Sequence, residues 1–232
     1  RADRKVRQMI RACIFDLDGT LADTVESIAH GVNHTLKYFG IAPRPVEEFN
    51  FYAGDGIDMA LKRALAAAGD TKGVHMEEGI PITRAFFGEN PLYCVKPYPE
   101  IEETLGKLKE LGMKIAVFSN KPHGAAVHVV ETLFGRSCFD WIQGQTDQIP
   151  KKPDPAGALA MAERFGMKTE EILYLGDTNT DMKTGLAAGM YTVGVTWGFR
   201  PRKELEENRA MAIIDHPLQI LDLLEKLNHE QD

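Results

Sequence analysis

Long apolar runs are missing from this 232-residue chain. No stretch approaches the roughly 20 residues that a membrane-crossing helix needs. An excess of basic charge is missing as well. Lys and Arg number 27 against 34 Asp and Glu, for a net charge of −7 with the two signs interspersed. A nucleic-acid surface shows as a basic patch or tail, so neither nucleic acid nor membrane is expected as a partner. Cysteine is scarce: Cys13, Cys94 and Cys138 are odd in number and widely spaced. No Cys-x-x-Cys occurs, which excludes a zinc knuckle or a redox pair, and the usage points to a reducing, cytoplasmic setting. No Gly-x-x-x-x-Gly-Lys stretch appears, which argues against a P-loop enzyme. Internal repeats and low-complexity tracts are absent, and no secretory signal is visible. Arg1–Gln8 is polar and basic, and is expected to be a tag remnant or a frayed end.

What is present starts with Ala12-Cys13-Ile14-Phe15, an apolar run of the kind that forms a buried parallel strand. It leads into Asp16-Leu17-Asp18-Gly19-Thr20. Side chains alternate along a strand, so Asp16 and Asp18 share one face and Leu17 takes the other. Gly19 permits a sharp turn. Two carboxylates side by side at the end of a buried strand are costly unless a cation lies between them. That cost points to a divalent metal. Taken alone, Asp18-Gly19 also reads as an ordinary turn.

Beyond Asp23 the pattern is helical. Val25, Ile28, Ala29, Val32, Leu36 and Phe39 recur at helical spacing, and further helices are expected around Val46–Phe49, Met59–Ala66 and Ile82–Phe87. No convincing strand falls between Asp23 and about Pro91. Strand and helix then alternate. Strands are expected at Lys114–Phe118, Phe139–Gln143, Ile172–Leu175, Tyr191–Val195 and Ala212–Ile214, with helices between them and a last one at Leu218–Leu227. This alternation predicts an α/β fold, a parallel sheet covered on both faces. The helical block is then an insertion. Residues 9–22 and 95–232 form a Rossmann-like core domain and 23–94 an all-helical cap, hinged near Leu21–Asp23 and Cys94–Pro99. Ligands of open α/β sheets bind beyond the carboxyl ends of the strands, so the insert lies over the site as a lid.

Three more stretches follow strand ends. Ser119-Asn120 offers a hydroxyl, an amide and backbone N–H groups for phosphate oxygens, and equally fits a plain turn. Lys151-Lys152-Pro153-Asp154-Pro155 puts lysine on a stiff loop, where it can balance phosphoryl charge or face solvent. Gly176-Asp177-Thr178-Asn179-Thr180-Asp181 sets Asp177 at a strand tip and Asp181 four residues on. With Asp16 and Asp18 these make four acids at one sheet edge, hard oxygen ligands that suit Mg²⁺. Asp181 reads as readily as a helix cap.

In this order the four pieces resemble the motif set of the haloacid dehalogenase superfamily, over Ile10 to about Val195, and the helical insert resembles its first type of cap. The resemblance points to Lys152 rather than Lys151. It implies a Mg²⁺-dependent hydrolase of phosphoric monoesters acting on a small phosphorylated metabolite. Asp16 would be the nucleophile that becomes an aspartyl-phosphate, and Asp18 the acid and base. Asp16, Asp18 through its carbonyl, Asp177 and Asp181 would hold the metal. Ser119, Asn120 and Lys152 would bind the phosphoryl group. Ser119-Asn120-Lys121-Pro122 and Gly54-Asp55-Gly56 further resemble the phosphoglycolate phosphatase group, so Gly54, Asp55, Gly56 and Lys121 are candidates for reading the leaving group. Arg63 is a second candidate cation there.

Rival readings are a phosphomutase of the β-phosphoglucomutase type, a pyrophosphatase, and a catalytically silent phosphate-binding module. A phosphonate hydrolase would need a Schiff-base lysine in the cap, and neither Lys37 nor Lys62 sits in a recognisable motif. Glu26, His30 and His34 fall four apart, a spacing open to a transition metal but better read as the polar face of a cap helix. His123, Trp197 and Phe199 are expected near the site. The sequence leaves monomer and homodimer both open.

Overall fold

The computed structural model describes residues 9–229. The expectation placed on residues 1–8 lies outside them. The chain opens with β1 (Ala12–Phe15), β2 (Ala22–Asp23) and α1 (Val25–Tyr38), followed by α2 (Phe49–Tyr52), α3 (Ile57–Ala67) and α4 (Met76–Glu89). Then come β3 (Lys96–Pro97), α5 (Ile101–Glu110), β4 (Lys114–Pro122), α6 (His123–Phe134), β5 (Trp141–Gln145) and α7 (Ala156–Phe165). The chain ends with β6 (Ile172–Gly176), α8 (Asn179–Ala187), β7 (Tyr191–Val195), α9 (Arg202–Glu207), β8 (Ala212–Ile214) and α10 (Gln219–His229).

Six strands form one sheet in the order β5-β4-β1-β6-β7-β8, every pair parallel. The chain order reverses beside β1, between β4 and β6, which is where such sheets open a crevice beyond their carboxyl ends. Alternation along β1 builds both layers. Cys13, Phe15 and Leu17 join Leu105, Val129 and Leu224 on one face. Ala12 and Ile14 join Phe118, Met161 and Tyr174 on the other. Each face is closed by helices, so the strands read as continuous apolar runs.

Helices α1 to α4 bury a third cluster of their own, built on Val32, Leu36, Phe49, Leu61, Leu65 and Phe87. The connections to the sheet run through β2 and β3, a short antiparallel ribbon pairing Ala22 with Pro97 and Asp23 with Lys96. Sequence reading placed hinges there but no strands. At two residues each they are too short for a periodic signal.

Helix α4 begins six residues before the expected start, with Pro81 inside it. Gly79 and Pro81 obscured its first turns, since both are poor helix formers. Gly79 serves as a packing gap, because a Cβ there would stand 3.2 Å from Leu61 and 3.3 Å from Phe39 and Thr35. Strand β4 runs on through Ser119–Pro122, with an irregular register against β5, where the sequence predicted a turn. Helix α9 was not anticipated.

Candidate active site

Beyond the carboxyl ends of β1, β4 and β6 the four motif stretches converge. Asp16 follows β1 directly and is buried, its Oδ1 accepting from the Leu17 N–H at 2.8 Å. Gly19, at φ +85°, turns the chain, and a Cβ there would strike the Asp177 carboxylate at 2.1 Å. The position therefore needs glycine for its backbone angle and for the close approach.

Lys152 is 1 % exposed and its ammonium bridges two acids, 2.9 Å from Asp16 Oδ1 and 2.8 Å from Asp181 Oδ1. Burial works against the charged amine, but Asp16 and Asp181 outweigh it and hold the pKa well above the usual lysine range. Of the two lysines left open by the sequence, this one lies inside. Asn120 holds its backbone from both sides, accepting from Lys152 N at 2.9 Å and donating to Lys152 O at 3.1 Å. The side chain of Asn120 thus places Lys152, and its Nδ2 also reaches Gly54 O at 3.5 Å. Ser119 Oγ accepts from the Lys121 N–H at 3.0 Å and lines the same cavity as Asp16 and Asp18.

Asp177 receives Thr20 Oγ1 at 3.1 Å and the Phe199 N–H at 2.9 Å. Burial, and then the charge of Asp181, push its pKa up to about 7. Burial and Asp181 likewise hold Asp16 well above the carboxylate range. Asp181 takes the capping part that the sequence offered and also turns toward Lys152. Its Oδ2 caps α8 by accepting from Asp177 N, Thr178 N and Thr178 Oγ1, while Oδ1 takes Lys152.

Single ligand oxygens of Asp16, Asp177 and Asp181 lie within 4.8 Å of one another, the one such group among the described residues. Asp18 stands apart from them, its Oδ1 2.9 Å from Lys121 Nζ. Four carboxylates face two ammonium groups, which leaves two negative charges for a divalent cation to balance. Hard oxygen donors of that charge fit Mg²⁺. Burial and mutual repulsion raise the carboxyl pKa values of Asp16 and Asp177, a cost that a bound cation would offset.

The cavity over these groups measures about 30 Å³ and is lined by Asp16, Asp18, Ser119 and Lys121 below and by Gly54, Gly56 and Phe87 above. Lys121 is buried, with its Nζ 4.4 Å from the centre of the Phe87 ring of α4. Asp55, a candidate for reading the leaving group, is held by other residues. Its carboxylate turns out of the cavity, accepting from Thr180 Oγ1 and from Arg63 Nη2, which also occupies Arg63. Those bonds outweigh burial and lower its pKa.

The remaining candidates have other work. Trp197 Nε1 donates to Thr20 O at 2.8 Å and supports the turn after Asp18. His123 Nδ1 accepts from the Gly144 N–H at 3.1 Å, tying α6 to β5. His30 stacks on Tyr93 and His34 on Phe86, with ring centroids 3.9 and 3.8 Å apart, so these histidines pack on aromatic rings. Arg200, buried beside the loop after α2, was missed. An arginine three residues past Trp197 carries no motif signal.

The profile of the family described as haloacid dehalogenase-like hydrolase matches residues 13–195. The chain belongs to that family. A phosphoglycolate phosphatase of Aquifex aeolicus is 36% identical over 190 residues, covering 82% of this chain and 86% of that protein. One of Pseudomonas syringae pv. tomato is 32% identical over 206 residues, covering 87% and 75%. The crystal structure of a Lactobacillus delbrueckii protein, provisionally named a phosphoglycolate phosphatase, superposes with a TM-score of 0.87 at 26% identity. It covers 96% of this chain and 100% of that one. The expected α/β fold and the expectation of a phosphoric monoester hydrolase agree with these relatives. No helix among the described residues is long and apolar enough to cross a membrane.

Proposed function

We propose that the protein is a Mg²⁺-dependent phosphatase of small phosphate monoesters, with 2-phosphoglycolate as its substrate, and that residues 23–94 act as its cap. The observation that carries this reading is the buried Lys152 bridge between Asp16 and Asp181 beside Asp177. A nucleophilic carboxylate, a fixed cation and a cation-hungry acid cluster share one point at the sheet edge.

Asp16, the backbone carbonyl of Asp18 and Asp177 would hold the Mg²⁺, with Asp181 behind them steadying Lys152. The ion would neutralise phosphoryl oxygens and keep Asp16 ionised. Asp16 attacks phosphorus, the bond from phosphorus to the ester oxygen breaks, and Asp18 donates its proton to that oxygen. Asp18 then removes a proton from water, which attacks phosphorus and releases Asp16. Splitting hydrolysis into two displacements is covalent catalysis, and one group serving as acid and then base is general acid–base catalysis. Lys152 and Ser119 steady the phosphoryl oxygens.

The substrate's carboxylate needs positive charge or N–H donors. Lys121 borders the cavity, and α3 opens at Ile57 directly after Gly56, so its first turn offers N–H groups and a favourable dipole. Asp55 is turned away and Asp58, in that first turn, pairs with Arg84. All three cysteines are unpaired, in keeping with a cytoplasmic enzyme.

The test is kcat/KM for 2-phosphoglycolate against sugar phosphates, nucleotides and pyrophosphate, with Mg²⁺ and with EDTA. Phosphoglycolate should rank first and EDTA should abolish turnover. A low rank overturns the substrate, and full activity without metal overturns the mechanism.

A further inference from the structure

Arg200 lies between β7 and α9, on the sheet side of the cavity, and is 6 % exposed. Its Nη2 crosses to the loop after α2 and donates to Phe51 O at 3.1 Å and to Ala53 O at 2.9 Å. Two residues on, Thr180 Oγ1 in the first turn of α8 donates to Asp55 Oδ1. Lys151 Nζ reaches Asp55 O at 3.4 Å, and Asn120 Nδ2 reaches Gly54 O at 3.5 Å. These four donors come from the α/β layer and their acceptors fall within Phe51–Asp55, where Arg63 of α3 adds bonds from the helical side to Tyr52 O and Asp55. That loop supplies Ala53, Gly54 and Gly56 to the wall of the cavity holding Asp16 and Asp18.

A guanidinium is costly to bury unless its donors are met. Here the two carbonyls meet them only while the loop is down. The other nitrogen, Nη1, has no hydrogen-bond partner and is 3.6 Å from Glu204 Oε2. The loop roofs the cavity over the reacting groups, and a roof that lifts to admit an ester and closes on it would break and re-form these bonds in each turnover. Thr180 also directly precedes Asp181, so the loop docks on the turn that positions Lys152.

We propose that Arg200 and the Thr180–Asp55 pair form a latch that fixes the 51–56 loop over the reacting groups. They are positioning residues for esters whose leaving group the loop must hold. The inference rests on the phosphatase reading above, and predicts which substrates depend on the latch. Acetyl phosphate expels acetate, which leaves without a proton and without a recognised shape. Its hydrolysis needs Asp16 and Lys152 but not a docked loop.

The experiment compares the parent with Arg200→Met, Arg200→Lys and Thr180→Val. It uses the preferred ester of the panel and acetyl phosphate, both with Mg²⁺. In parallel, amide hydrogen exchange is followed across residues 50–57 with Mg²⁺ and inorganic phosphate present. Removing two hydrogen bonds from a charged donor is expected to lower kcat/KM for the ester on the order of tenfold to a hundredfold in Arg200→Met. Thr180→Val should lose roughly fivefold, and Arg200→Lys should recover part of the loss. Acetyl phosphate turnover should stay within about threefold, and exchange across the loop should quicken. Parallel loss on both substrates, or unchanged exchange in Arg200→Met, overturns the latch. If the parent hydrolyses neither compound, the phosphatase reading fails by itself, and the exchange rates alone decide whether the loop is latched.

Discussion

Asp177→Asn should stabilise the metal-free protein at neutral pH while abolishing its activity. Asp177 is buried, and its pKa is pushed from 3.8 to about 7 by burial and by Asp181. A carboxyl with a raised folded pKa binds its proton more tightly in the native chain than in the unfolded one. Its favourable contribution is therefore complete below about pH 4 and is lost as pH rises through about 7. The displacement corresponds to roughly 4 kcal/mol at pH 7.5. Asparagine carries no charge but keeps only one good acceptor for Thr20 and Phe199, which returns about 1 kcal/mol. The variant should then be more stable than the parent by roughly 2–3 kcal/mol in EDTA. Urea unfolding at pH 5 and pH 7.5 reads this directly. The gap between the two proteins should open with pH and close when Mg²⁺ is added, because the ion stabilises only a chain that binds it. A variant no more stable than the parent at pH 7.5 in EDTA would refute the electrostatic reasoning.

Asp18→Asn should fold normally and lose 10²- to 10⁴-fold in kcat, roughly the worth of a positioned acid and base, as steady-state kinetics beside circular dichroism would show. Lys152→Met leaves Asp16 and Asp181 buried without their cation and should cost about 3–5 kcal/mol of stability. A second change, Asp16→Asn, should recover part of that loss in the same urea titration. Gly56→Pro imposes φ near −65° where the chain takes +91°, so kcat/KM for the ester should drop at least about tenfold as the loop is displaced; unchanged kinetics in a folded variant would remove the loop from recognition.

The parts legible in the sequence are those that repeat a local rule. Ala12–Phe15, Ile172–Gly176 and Tyr191–Val195 are apolar runs bounded by turn chemistry, and the structure pairs them in one parallel sheet. Asp16, Asp177, Asp181 and Lys152 each follow a strand, and topology brings them together. What stayed hidden depends on long-range partners. Neither Ala22–Asp23 nor Lys96–Pro97 shows a period, and they are strands only because each meets the other. Nothing local shows that the Asn120 amide meets the backbone of Lys152. No local pattern shows that Thr180, 125 residues away, holds the Asp55 carboxylate. Arg200 reaches back 147 residues to Ala53, a distance no sequence window spans.

The claim on which the rest depends is that Asp16 takes the phosphoryl group. Acid quench of Asp18→Asn after brief mixing with Mg²⁺ and 2-phosphoglycolate, followed by peptide mass spectrometry, tests it most directly. Without its base the variant should hold the intermediate, and one phosphoryl group should appear on the peptide containing Asp16 and disappear on treatment with hydroxylamine. Release of glycolate and phosphate with that peptide unmodified throughout, or a phosphoryl group on another residue, would contradict the account.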